Sequence, residues 1–159
     1  LMRTMQENAL VFAPHENSFR RILPGAHAPS SVAWGYENRT VAVRIPGGSP
    51  KARRIEHRVA GADANPYLVL ASILGGALLG IEGKWEPPAP ITGDAYSQNI
   101  ETLPPDWASA IEAFSRGPHV TQIYARRLQR MFVQCKLQEL RRFTRHVTEF
   151  EYHSYMEAV

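Results

Sequence analysis

The chain has 159 residues, 44% hydrophobic and 21% charged, with 18 Lys and Arg against 15 Asp and Glu for a net charge of +3. A chain of this size buries about two-thirds of its unfolded surface, which excludes a disordered polyelectrolyte and a fibrous or low-complexity protein. The lone Cys135 excludes an intramolecular disulfide framework and a Cys-rich zinc site, and it points to a reducing compartment, the cytoplasm.

No basic stretch followed by an apolar run and a cleavage site opens the chain, and residue 1 is Leu rather than Met, so its start is expected to lie inside a longer gene. Residues 1–29 read as a polar lead, an apolar run at 9–13, and a loop punctuated by Pro14, Pro24, Gly25 and Pro29. From 30 to 59 the texture turns β-rich. The runs 31–35 and 40–45, separated by a polar connection, predict a hairpin, and 53–59 reads as a third strand. The intervening loop Pro46-Gly47-Gly48-Ser49-Pro50 lacks the following helix that a phosphate-binding glycine loop needs, so it carries little weight as a nucleotide motif.

Asn65 and Pro66 open a helix, Asn as the cap and Pro at the first helical position, where its missing N–H costs nothing. From Tyr67 to Ile81 this helix is apolar nearly all round, yet shorter than the roughly 18 to 20 apolar residues of a membrane span. Gly75, Gly76 and Gly80 suit close packing, so a buried core helix is expected and no membrane contact. Residues 85–105 hold five prolines and predict a long surface loop. Pro104-Pro105-Asp106 then starts a helix with Trp107, Ile111 and Phe114 on one face. After Gly117-Pro118 a longer amphipathic helix carries Val120, Ile123, Tyr124, Leu128, Met131, Cys135, Leu140, Phe143, Val147 and Phe150. Its opposite face, with Arg126, Arg127, Arg130, Arg141, Arg142 and Arg145, reads as solvated. The expected class is α+β: antiparallel strands over about 30–59 packed by helices over about 65–84 and 104–157.

The positive charge is concentrated. Between Arg20 and Arg58 lie eight basic residues (Arg20, Arg21, Arg39, Arg44, Lys51, Arg53, Arg54, Arg58) and two acids (Glu37, Glu56), a local +6, while the remainder sums to −3. Such a cluster points to an anionic ligand, with nucleic acid, phosphate and carboxylate all eligible; a solvated surface is the plain alternative. Seven of the eight are Arg, whose planar fork pairs bidentately with phosphate and carboxylate. Nucleic acid ranks last, because interleaved aromatics and a groove-reading helix are lacking.

In a strand over 53–59, Ile55 and Val59 share a core face while Arg54, Glu56 and Arg58 share the other at roughly 7 Å spacing. Two arginines flanking a glutamate form either a structural ion-pair ladder or part of a ligand site. The apolar helix downstream places the strand inside the fold, where unpaired charge is costly. Arg21, Arg39, Arg44 and Lys51 bring more cation than one Glu neutralises, so the missing negative charge is expected from a ligand. A carboxylate among arginines suits Mg²⁺ bridging substrate phosphates, and fixed forks suit the oxygens of a transferring phosphoryl group. His15, His27 and His57 lack zinc-ligand spacing and read as loop or packing residues.

The ordered runs Asn17-Ser18-Phe19-Arg20-Arg21, Pro24-Gly25, Trp34-Gly35, Asn38-Arg39, Arg44-Ile45-Pro46, Lys51-Ala52-Arg53-Arg54-Ile55-Glu56-His57-Arg58 and Ala62-Asp63-Ala64-Asn65-Pro66-Tyr67-Leu68 resemble the carboxyl-terminal half of the glutamine synthetase family. Trp34-Gly35-Tyr36-Glu37-Asn38-Arg39 and Arg58-Val59-Ala60-Gly61-Ala62-Asp63 are most similar to its γ-glutamylputrescine synthetase branch, which joins glutamate to polyamines. The helical tail is compatible with the family's terminal helices without identifying it.

The resemblance implies the carboxyl-terminal part of that family's catalytic domain over 1–159, an open barrel-like sheet, and an ATP-dependent ligase using Mg²⁺ or Mn²⁺. Glu56 matches the family's metal-ligand Glu and Arg21 the arginine that holds glutamate. Arg39 and Arg58 match the pair that stabilises the transferring phosphoryl group, and Arg44, Lys51 and Arg54 match nucleotide-binding positions. His27 stands where ammonia-using members carry a Glu that binds ammonium; an imidazole offers no fixed negative charge, which favours a larger amine. The family's amino-terminal domain, its other metal ligands and its glutamate-binding Gly-rich loop are expected upstream of Leu1. A large double-ring homo-oligomer with shared active sites is also implied. Two alternatives stay open: an ammonia-using glutamine synthetase, and a catalytically incomplete fragment keeping only a fold or assembly role.

Overall fold

The apolar run at 9–13 seeds the core. In the computed structural model, which describes residues 1–23, 26 and 28–158, the chain opens with three single-turn helices, α1 (Met2–Met5), α2 (Ala9–Phe12) and α3 (Glu16–Phe19). All of α2 is buried. Leu10, Val11 and Phe12 join Val43, Val59, Trp107, Ile111, Phe114 and Val120 in one apolar cluster drawn from strands and helices alike. Burial of side chains of this size, at about 1.5 to 3 kcal/mol each, is the main force holding the layers together.

The sheet has three short strands, β1 (Trp34–Tyr36), β2 (Val43–Ile45) and β3 (Glu56–His57), in that order. β2 and β3 are antiparallel, with Val43 opposite His57 and Arg44 opposite Glu56. β1 and β2 are parallel, with Trp34 opposite Val43 and Tyr36 opposite Ile45. The expected hairpin is thus overturned and the sheet is mixed. The reason lies in the connection 37–42. Glu37 adopts a left-handed φ of 50°, and Asn38 donates its amide N–H groups to the carbonyls of Ile91 (3.2 Å) and Gly93 (2.8 Å). Tied to a distant loop in this way, the chain returns to its starting end before β2 begins.

That loop is the stretch 85–105. It is irregular, as expected, apart from a 3-10 turn at Ala95–Ser97, but it seals the outer edge of β1 rather than lying free. Ile91 N–H donates to Trp34 C=O at 2.8 Å, the Trp34 indole donates to Pro88 C=O at 2.7 Å, and Ser31 bridges to Thr102. Gly35 is required here, since a Cβ would lie 2.6 Å from the Ile91 oxygen.

Helix α4 (Pro66–Glu82) begins as expected: Asn65 Oδ1 accepts from the N–H of Tyr67 (3.0 Å) and Leu68 (3.3 Å). Its expected full burial is overturned. Only Ser72 and Gly76 are buried, while Tyr67, Leu70, Leu74, Leu78 and Ile81 are 54–82% exposed. Leu68, Val69, Ala71 and Ile73 pack on the core, so the all-round apolar pattern meets cover on one side only. In α5 (Trp107–Arg116), Asp106 caps the Ser109 N–H at 2.7 Å, and Trp107, Ala110, Ile111 and Phe114 are buried.

The single long helix expected after Pro118 is three: α6 (Val120–Ile123), α7 (Arg126–Thr144) and α8 (Glu149–Tyr155). At the first break Tyr124 is extended, its hydroxyl donating to Leu68 C=O at 2.7 Å and lying 2.6 Å from Ser72 Oγ, which donates to Asn8 Oδ1 at 2.9 Å. The second break is a capping box between Thr148 and Glu151. Val147 and Phe150, expected on the apolar face, are exposed. Lys136, on the other hand, is buried against Trp107 and bonded to Glu139 at 2.8 Å. No described helix is long and apolar enough to cross a membrane.

Candidate functional site

Antiparallel pairing of β2 with β3 sets Arg44 beside Glu56. Arg44 reaches Glu37 Oε2 at 3.1 Å and Glu56 Oε2 at 3.5 Å, and Arg58 Nε stands 3.4 Å from Glu56 Oε1. Arg58 also donates to the carbonyl oxygens of Arg39 and Val41. The result is an alternating row, Glu37, Arg44, Glu56, Arg58, that neutralises itself. Within the cluster between Arg20 and Arg58, the cations without a carboxylate partner among the described residues are Arg20, Arg21, Arg39, Lys51, Arg53 and Arg54, whereas Arg44 and Arg58 are paired. Both contacts to Glu56 exceed the about 2.7–2.9 Å of a tight charged hydrogen bond, so its oxygens keep lone pairs for a further ligand.

Beside this row opens a cavity of about 600 Å³ lined by Trp34, Tyr36, Gly47, Gly48, Arg53 and Arg54 among others. Trp34 and Tyr36 alternate onto one side of β1, their rings 5.4 Å apart and edge-on. Glu37 accepts from the Gly47 N–H, and Gly48 has a φ of 126°, a conformation that favours glycine. Two guanidinium groups, two aromatic rings and an exposed glycine backbone suit a molecule with a flat ring and phosphates. The loop 46–50, of little weight by its sequence context, therefore does line the site, followed by a 3-10 turn at Pro50–Ala52 instead of a helix. Ile55 is 58% exposed and lines the same cavity, not the core face expected of it. That inner position belongs to His57, whose ring centroid is 4.5 Å from that of Phe12. Burial pushes the His57 pKa down to about 4, so the ring is neutral near pH 7 and serves as a packing residue, as expected.

Arg21 donates to the Val59 carbonyl, and Ser18 Oγ donates to Asp63 Oδ2 at 2.5 Å. The motifs at 17–21 and 59–63, far apart in sequence, are thereby fastened together next to Arg58. Lys51 is exposed on the 3-10 turn and Arg39 is exposed beyond β1; neither lines the cavity. His27 lies outside the described residues. Trp34, Tyr36, Glu37 and Arg53 were not singled out as site residues. The alternation Trp-Gly-Tyr in a strand is the signal that could have found the aromatic pair.

Among the described residues no three of His, Cys, Asp and Glu gather to hold a metal. A hard divalent cation takes about six oxygens, so Glu56 fits as one carboxylate of a shared site and not as a metal centre alone.

The fold agrees with that of known proteins. The chain belongs to the glutamine synthetase family, whose catalytic domain matches residues 1–155. It is similar to gamma-glutamylputrescine synthetase PuuA of Escherichia coli K12, 38% identical over 147 residues, 92% of this chain and 31% of that one. It is 35% identical over 147 residues to gamma-glutamylethanolamide synthetase GlnA4 of Streptomyces coelicolor, 92% of this chain and 32% of that one. A solved structure of apo GmaS matches with a TM-score of 0.84 at 30% identity, covering 99% of this chain and 36% of its own. The chain thus spans about a third of the length of these relatives. The expected glutamine synthetase catalytic-domain fold is borne out, with a small, open, mixed sheet.

Proposed function

We propose that this chain is the carboxyl-terminal part of the catalytic domain of an ATP-dependent ligase that joins the γ-carboxylate of glutamate to an amine, with a polyamine such as putrescine as the favoured nucleophile. The observation that carries this is the juxtaposition of the Glu56 row with the aromatic, arginine-lined cavity. In the proposed reaction a γ-carboxylate oxygen of glutamate attacks the terminal phosphorus of ATP, and ADP departs with the electrons of the broken P–O bond. The amine nitrogen then attacks the γ-carbonyl carbon of γ-glutamyl phosphate, inorganic phosphate leaves, and the nitrogen loses a proton.

The roles proposed for its residues follow the family resemblance position by position. Arg53 and Arg54, open to the cavity, bind phosphate oxygens, and Lys51 and Arg44, which do not line it, are assigned to the nucleotide by the family resemblance. Arg58, held by the carbonyls of the 39–41 turn, and Arg39 stabilise the transferring phosphoryl group. By the family resemblance Arg21 holds the glutamate, and His27 takes the sequence position assigned to the amine. Glu56 is the carboxylate that would hold Mg²⁺ or Mn²⁺, whose chemistry is to screen charge on the phosphate oxygens. Because the chain spans about a third of the length of its relatives, the remaining ligands and a ring assembly are proposed for the rest of a full-length protein.

The test is glutamate-dependent ADP release by the full-length protein with putrescine, ethanolamine, isopropylamine and ammonia in parallel. Putrescine is expected to give the highest kcat/KM. Strong activity with ammonia alone rejects the polyamine reading in favour of a glutamine synthetase, and no turnover with any amine favours a chain that keeps only fold and assembly.

A further inference from the structure

A second cationic cavity, of about 400 Å³, lies where the end of α5 meets the start of α7, and it shares no lining residue with the cavity beside β1. Arg116, Arg126 and Arg130 line it together with Thr121 and Gln134, and no carboxylate does. Arg116 is tied to Glu112 at 2.8 Å on the open surface. Arg126 and Arg130 have no carboxylate partner among the described residues. They stand one turn apart on α7, where like charges repel, and nothing in the described chain offsets that repulsion.

Two further features favour negative charge in this place. The Gln129 side chain, 8% exposed, donates to the carbonyls of Phe114 (2.9 Å) and Ser115 (3.1 Å), which occupies the negative end of α5. At the opposite wall α7 starts from Ala125 with no side-chain cap, so its first N–H groups and the positive end of its dipole stay free. We propose that this cavity is a second anion-binding site, separate from the catalytic one, that takes a small phosphate-bearing molecule. The concave, half-open shape and the hydroxyl and amide rim at Thr121 and Gln134 suit a small discrete ligand.

The probe is pyrophosphate, titrated calorimetrically into the full-length protein without ATP or glutamate. Two classes of site per chain are expected. The double variant Arg126→Gln with Arg130→Gln should remove one class, weakening it about tenfold per arginine, and leave the other intact. The double variant Arg53→Gln with Arg54→Gln should do the reverse. Both pairs lie on the surface, and matching thermal melts confirm that the variants fold. Parallel titrations with inorganic phosphate and with adenosine monophosphate tell a simple phosphate ligand from a nucleotide. A single class of site in the wild type, or two classes that survive loss of Arg126 and Arg130, overturns the proposal. Because the two pairs of variants act on different cavities, failure here and failure of the catalytic reading give different titrations.

Discussion

Glu56 is held by two arginines but grasped by neither. Its contacts of 3.4 and 3.5 Å orient the carboxylate while leaving it free to take a cation. Glu56→Gln keeps shape and removes charge, so the fold should persist by circular dichroism while kcat/KM in the full-length protein falls about a hundredfold or more. Near-normal turnover would remove Glu56 from the metal. Arg58→Lys is expected to cost both activity and about 1–2 kcal/mol of stability, since a point charge cannot serve Glu56 and the carbonyls of Arg39 and Val41 at once. At this scale the charges of the site were legible because they are written in the residue types. The partnership of Arg44 with Glu37 was not, because it depends on a left-handed turn after β1 that no local pattern announces. The aromatic wall was half legible, visible as alternation but not as a lining.

Elements with local stop and start signals were read well. Asn65-Pro66 and Pro105-Asp106 each open a helix through caps a few residues long. The parallel pairing of β1 with β2 was missed because its cause lies about 50 residues away, in the loop that takes the bonds of Trp34 and Asn38. Gly35→Ala tests this dependence directly. A Cβ pressed against the Ile91 carbonyl must push the loop off the strand, so unfolding in urea should show a loss of about 1–3 kcal/mol. A change within 0.3 kcal/mol, a threshold of about the experimental error, would show that the loop is not what holds β1. The break at Tyr124 was equally hidden, since an apolar residue at helical spacing gives no sign that its hydroxyl is needed elsewhere.

For the molecule as a whole, the instructive surface is the outer side of α4. The sequence pattern demanded burial, and the 159 residues supply cover for only half of it. If the remaining sequence of a full-length protein lies over this side, Leu74→Gln, at a site 65% exposed here, should cost the 159-residue chain no more than about 0.5 kcal/mol and the full-length protein about 2–5 kcal/mol. Equal effects in both would show a free surface. The same helix raises a different question: with apolar residues on every side, hydrophobic burial alone does not say which side should turn inward. The trio of Asn8, Ser72 and Tyr124 answers it. Rotating α4 by one residue, about 100°, would carry Ser72 away and leave two interior acceptors or donors, Asn8 Oδ1 and the Tyr124 hydroxyl, short of a partner, at about 1–3 kcal/mol each. Three modest hydrogen bonds thus act as a key that fixes the rotation of an otherwise featureless apolar rod, and its opposite side is presented in one direction only.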